Sequence, residues 1–217
     1  MNETEKAQPV TPRVRVKRLP DRARYDRETI ESILDEAFIC HVGFNSEHGP
    51  IVIPTGFGRD GNDLIIHGSA ASRMLRDLSN GIDVCVTVTI LDGLVLARSA
   101  FHHSMNYRSV VIYGTAELIT ESDEKVRALE ILSEHIIRGR WADVRPPSEK
   151  ELKATTVLRL PIDEASAKIR VGPPKDDEED YSLPVWAGVV PLQTTLGTPV
   201  ADERNLDGVE MRDYFAR

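Results

Sequence analysis

PIVIPTGFGRDGNDLIIHGS, residues 50–69, decides the fold. Two runs rich in apolar and β-branched residues, 50–59 and 63–69, flank Asp60-Gly61. An Asp-Gly pair between such runs signals a hairpin, because the tight turn needs a positive φ that glycine adopts without steric cost. The runs therefore pair antiparallel. ICHVGF (39–44) precedes them across the short polar turn NSEHG, which extends the hairpin to a three-stranded meander. No helical crossover lies between these strands, so a doubly wound parallel sheet is not expected.

The remaining elements follow outward from this hairpin. DRETIESILDEAF (26–38) places Ile30, Ile33, Leu34, Ala37 and Phe38 on one helical face behind Asp26 as N-cap. Residues 69–81 read as a short helix closed by Gly81. DVCVTVTI (83–90) alternates as a strand, and 94–101 and 108–119 are further strands. The longest helix is expected over 122–139, capped by Ser122, with Val126, Leu129, Leu132, Ser133 and Ile136 as its buried stripe. A helix over 146–154 carries Ser148 and Glu151 in capping-box spacing, before strands at 155–162 and 166–172. The acidic run 173–181 reads as solvated surface, and 182–192 is apolar again. The expected fold is mainly β with helices (α+β), its strands closed most simply as a barrel. Residues 1–20 form an N-terminal arm, 21–192 the domain and 193–217 a C-terminal tail.

Composition narrows the function. The 217 residues carry a formal net charge of −8, which favours no nucleic-acid partner. No run of about 18 apolar residues is present, so no membrane span is expected. The polar N-terminus does not read as a signal peptide, and a cytoplasmic location is expected. Cys40 and Cys85 each lie in an apolar stretch and read as reduced core thiols.

Two polar segments interrupt the apolar pattern. ARSAFHHSMNYRSVVIYG (97–114) sets His102, His103, Ser104, Asn106, Tyr107, Arg108 and Ser109 between strand-like runs. Polar groups drawn from water need partners: each other, the backbone or a ligand. Adjacent histidines on a strand diverge and do not share a metal, and no G-x-S-x-G marks a serine nucleophile. HGSAASRML (67–75) leaves a strand and starts a helix at Ser72 and Arg73. A helix start offers unpaired N–H groups to an anion, and arginine adds a forked contact. The two segments together suit a phosphorylated, ring-bearing ligand.

On these segments, with KIRVGPP and PVWAGVVPL, the chain resembles the pyridoxamine 5′-phosphate oxidase-like flavin-binding proteins, in the branch that includes nitroimidazole-resistance-type flavoproteins. The resemblance spans about residues 13–192. It implies a split β-barrel that binds FMN at a homodimer interface. By motif position the phosphate would sit near His67, Gly68, Ser69, Ser72 and Arg73. The flavin ring would lie along Ile53, Pro54, Thr55 and Gly56. Ser99, Phe101, His102, His103, Asn106 and Arg108 would border the pocket, and Trp186 would cover the ring. The activity implied is an FMN-dependent oxidoreductase acting between a reduced nicotinamide nucleotide and a small organic acceptor, with His102 or His103 as proton donor. Two alternatives are a non-catalytic FMN carrier or sensor and a protein of the same fold that binds haem, or another flavin-like cofactor, through one of the adjacent histidines His102 and His103. The chain lacks the basic substrate-phosphate cluster of a B6 oxidase.

Overall fold

A computed structural model describes residues 10–214. Ten strands form one sheet with four α-helices: β1 (Ala23–Arg24), α1 (Arg27–Glu36), β2 (Ile39–Ser46), β3 (Gly49–Asp60), β4 (Asp63–Ser69), α2 (Arg73–Ser79), β5 (Asp83–Leu96), β6 (Ser104–Thr115), β7 (Glu117–Leu118), α3 (Ser122–Ile136), α4 (Glu149–Ala154), β8 (Thr155–Pro161), β9 (Glu164–Arg170) and β10 (Gly188–Pro191). Every pairing is antiparallel, in the order β1-β9-β6-β5-β2-β3-β4-β8-β7, with β10 added beside β5. Successive strands β8 and β9 do not pair with each other: β8 lies beside β4 and β9 beside β6.

The 50–69 hairpin forms as expected. Asp60 pairs with Asp63, and Gly61 takes φ 57° in the turn. The strand β3 bends, because residues 49–56 pair with β2 and residues 57–60 with β4. Its edge over 49–56 away from β2 therefore has no partner strand among the described residues. Pro50 and Pro54 are tolerated in such an edge strand, since each lacks the N–H a central ladder would need.

Inside the barrel, the α1 face of Ile30, Ile33 and Leu34 meets Val42, Phe57, Leu64, Ile66, Val86, Ile112, Leu158 and Leu160 in one buried cluster. Asp26 caps α1 by accepting the Thr29 N–H at 2.9 Å. A second cluster, Ile65, Val157, Ile119, Ala128 and Leu132, seats α3 on the outer face of β4 and β8. Cys40 lies in the main core, where burial pushes its thiol up to about 12 and leaves it unreactive.

Close approach of α3 depends on Gly58. A Cβ there would lie 3.3 Å from the Ile131 carbonyl oxygen and 3.3 Å from the Leu132 Cα. Both are backbone atoms of a packed helix and yield little. Gly58→Val is expected to lower stability by about 1–3 kcal/mol, as overpacking does, and chemical denaturation measures it.

Several sequence expectations need correction. The runs 83–90 and 94–101 are not two strands: β5 is continuous to Leu96, with a register shift between Leu91 and Gly93. Asp92-Gly93 looks like a turn but forms a bulge, which bends the strand so that its ends serve β2 and β10. Residues 100–102 are a short 3-10 turn instead of strand. The long helix stops at Ile136, and Ser122 is its first residue behind Glu121, with no side-chain cap. Its buried stripe is narrower than expected, with Ala128 and Leu132 buried and Ile136 65% exposed. The capping box of Ser148 and Glu151 does form. Of the N-terminal arm, Val14 packs into the protein and Arg13 pairs with Asp83 and Glu164; residues 1–9 lie outside the described residues. The tail over 193–214 is exposed, tethered where Arg212 and Tyr214 reach Asp143. Among the described residues, no helix is long and apolar enough to cross a membrane.

Candidate functional site

The end of β4 carries the first donor cluster. Its backbone turns sharply: the Ser72 N–H donates to the Ser69 carbonyl at 2.8 Å, and the Ser69 hydroxyl accepts the Ala71 N–H at 3.2 Å. The Ser72 hydroxyl makes no capping bond. Arg73 is exposed and has no carboxylate partner among the described residues. At seven residues, α2 is too short for much macrodipole, so an anion here would depend on Arg73, the hydroxyls and the unpaired first-turn amides. Gly68 faces inward against Leu75. His67 points to the opposite face of β4, the face covered by α3, because side chains alternate along a strand. Alternation thus turns His67 away from Gly68, while Ser69, two residues on, closes the strand on the face of His67.

Alongside runs the unpaired edge of β3. Ile53 and Thr55 are partly buried and Pro54 and Gly56 are exposed. The Thr55 hydroxyl reaches only the Gly56 carbonyl, at 3.4 Å.

The second cluster surrounds the β5–β6 connection. His103 Nδ1 lies 2.8 Å from the Ser99 carbonyl oxygen. A carbonyl can only accept, so Nδ1 carries the proton and Nε2 is left as the open nitrogen on an exposed ring. His102 Nε2 lies 3.2 Å from Asp177 Oδ2, and the ring meets Phe101 edge-on. Phe101 itself is 89% exposed. Among the described residues the Ser99 hydroxyl is buried without a hydrogen-bond partner, so a ligand group can satisfy it.

What holds this connection is the acidic segment 173–181, which does not behave as free surface. Asp176 accepts from the Arg98 amide at 2.9 Å and its guanidinium at 3.0 Å, with its side chain wholly shielded from water. Arg98 also stacks over Tyr181 at 4.8 Å. Arg98 and Asp176 were not legible as a site pair, because 78 residues separate them and only the acidic run opposite a lone arginine hinted at it.

Two of the expected flavin contacts are engaged internally. Asn106 is buried; it accepts from Arg170 and donates to the Gly172 carbonyl at 3.2 Å. Arg170 is buried too and reaches the Pro173 carbonyl at 3.3 Å, so the pair clamps the start of the C-terminal segment. Arg108 forms a two-sided fork, to Asp92 at 2.7 and 3.0 Å and to Glu36 at 2.8 Å. These side chains fix β6 to its neighbours. Trp186 is 66% exposed and folds back over Gly188, where a Cβ would lie 2.9 Å from its ring.

The fork has a pH consequence. The Arg108 hydrogen bonds, working against partial burial, hold Glu36 below its ordinary 4.5. A carboxylate lowered on folding stabilises above its unfolded pKa, and that contribution is lost as pH falls through the folded value. Melting temperature should therefore drop below pH 4.5, and Arg108→Met should flatten that part of the curve; thermal scans from pH 3 to 6 on both proteins measure it.

Nothing joins the two donor clusters inside one protomer. By sheet order β4 and β5 are separated by β2 and β3, and no hydrogen bond or ion pair links 67–73 to 99–108 among the described residues. Nor do three His, Cys, Asp or Glu side chains converge as a metal centre among those residues.

Comparison with known proteins adds independent findings. The sequence profile of pyridoxamine 5′-phosphate oxidase matches residues 26–169. The flavocytochrome Anf3 from Azotobacter vinelandii is 45% identical, with a TM-score of 0.89 over 94% of this chain and 96% of that one. An FAD- and haem-binding protein from Mycobacterium smegmatis is 39% identical, with a TM-score of 0.86 over 89% and 95% of the two chains. A candidate 5-nitroimidazole antibiotic resistance protein from Bacteroides thetaiotaomicron is 28% identical, with a TM-score of 0.56 over 68% and 86%. No curated protein matches.

Proposed function

The chain belongs to the pyridoxamine 5′-phosphate oxidase family, and from that membership we propose that it is a homodimeric, flavin-dependent oxidoreductase. The observation that carries the reading is Arg73, a cation with no partner among the described residues, beside the unengaged Ser72 hydroxyl at the end of β4. Such donors suit the phosphate of FMN or the pyrophosphate of FAD. When bound, the flavin supplies transfer of hydride or electrons from a reduced nicotinamide nucleotide to a small organic acceptor.

The protein's own residues take the remaining roles. Ser69, Ser72 and Arg73 hold the phosphate. The unpaired edge of β3 over Ile53, Pro54, Thr55 and Gly56 orients the ring. The second cluster comes from a partner copy, because one protomer keeps the clusters apart. Exposed apolar side chains support pairing: Phe101 at 89%, Val171 at 75%, Trp186 at 66% and Val52 at 66%. Ser99 Oγ finds its missing partner on the flavin, and Phe101 and Trp186 keep water from the ring. His103 Nε2 holds or releases the proton that accompanies reduction, with Nδ1 fixed by the Ser99 carbonyl. His102 orients the same turn through Asp177.

A second reading adds haem to the flavin. It is supported by the printed descriptions of the two relatives at 45% and 39% identity, one a flavocytochrome and the other an FAD- and haem-binding protein. It also has a candidate residue, since His67 stands in a cavity with no hydrogen-bond partner among the described residues.

The test is the absorption spectrum of the purified protein under anaerobic conditions. The proposal expects a flavin spectrum that bleaches with NADH or NADPH and returns in air, and mass spectrometry of the heat-released chromophore distinguishes FMN from FAD. A bound flavin indifferent to both nucleotides makes the protein a carrier. A protein that takes up neither flavin on reconstitution overturns the reading.

A further inference from the structure

Six histidines occur in the chain, and four have partners. His135 meets the Ala37 carbonyl, His103 the Ser99 carbonyl, His102 Asp177, and His48 Glu47. His41 is exposed on β2 and lines neither of the two cavities described for the chain. His67 differs: it opens into a cavity of about 450 Å³ between β4, α3 and α4. That volume lies within the range of small-molecule and cofactor sites, roughly 300–1,000 Å³.

Chemistry of the cavity wall narrows the occupant. Leu129, Leu132, Ile136 and Trp141 make it largely apolar, and Arg145 lies at its rim. Ile136 is 65% exposed although it belongs to the helix face turned to the cavity, so a broad apolar surface lacks cover. The protein packed around the imidazole lowers its pKa, which keeps the ring neutral with a lone pair available near neutral pH. Ser133 and Glu151 also line it, so the polar groups of the wall stand beside a continuous apolar stretch. A flat apolar macrocycle with an iron centre and acidic edge groups matches all three features: a neutral imidazole, apolar walls and a basic rim.

We propose that the cavity beneath α3 is a haem site in which His67 supplies an axial nitrogen to the iron. This rests on the second reading above and locates it, apart from the flavin anchor at Ser72 and Arg73. Leu129, Leu132, Ile136 and Trp141 cover the porphyrin faces. Arg145, now paired with Glu151 at 2.5 and 2.8 Å, takes a propionate in competition with that carboxylate. The same strand thus carries the iron ligand on one face and leads at its end into the flavin anchor.

The test is titration of the full-length protein with hemin, followed by its Soret band, with flavin uptake read separately from the flavin absorption. The wild type is expected to bind one haem per chain. His67→Gly should weaken binding roughly tenfold or more, added imidazole should restore the ligated spectrum, and flavin uptake should be unchanged. Ile136→Glu, at an exposed helix position, should also weaken haem and leave flavin alone, which guards against a misfolded His67 variant. His41→Ala should behave as wild type. Unchanged haem affinity and spectrum in His67→Gly would overturn the assignment while leaving a haem elsewhere. No hemin uptake by the wild type would overturn both, and an intact flavin spectrum would show that the flavin reading stands independently.

Discussion

Replacing Arg73 by alanine is expected to weaken flavin binding by roughly 10- to 150-fold, the equivalent of about 1.5–3 kcal/mol for a hydrogen-bonded charge pair. The side chain is exposed at the first position of α2 and holds no partner among the described residues, so its removal leaves the core untouched. Thermal stability of the flavin-free protein should therefore stay within about 0.5 kcal/mol of wild type. Fluorescence titration with FMN and FAD checks the first part and a melting curve the second. Unaltered affinity for both flavins would remove Arg73 from the anchor.

Asn106→Leu is expected to be the most destabilising polar change at the β5–β6 connection. It deprives the buried Arg170 guanidinium of its side-chain acceptor and leaves only the carbonyls of Gly172 and Pro173. Burial already disfavours the charged form of Arg170, whose Nε has no partner among the described residues. Loss of a hydrogen bond to a buried charge costs about 2–3 kcal/mol, which corresponds to a melting temperature lower by roughly 4–12 °C in a protein of this size. Because the same clamp fixes the start of the segment leading to Trp186, proteolysis between 173 and 192 should also become faster. A variant that melts like wild type and resists protease equally would show that the clamp contributes little.

The antiparallel barrel was legible because its evidence is local. Asp60-Gly61 sets the hairpin, alternation sets β5 and the spacing of Ile30, Ile33 and Leu34 sets α1. Elements governed by distant neighbours were less so. Asp92-Gly93 has the chemistry of a turn, yet Val189 and Val190 of β10 pack against it and hold the strand extended. Gly139 looks like a helix end, but α3 has already stopped at Ile136.

The same limit applies to the candidate site. A run of polar residues announces that partners exist without saying which. Asn106 and Arg108 find theirs in Arg170, Asp92 and Glu36, all but Asp92 at least 64 residues away. His67 sits in sequence beside the phosphate-type segment, but strand alternation turns it under α3. The acidic run 173–181 was read from composition alone, which could not reveal that Asp176 closes over Arg98.

Calorimetric titration of the flavin-free protein with FMN and with FAD tests the central claim most directly. The account predicts saturable binding of at least one of them, one flavin per chain, with the protein dimeric at saturation. Absence of binding heat for both flavins, in a protein whose circular dichroism and melting curve report a folded barrel, would contradict it.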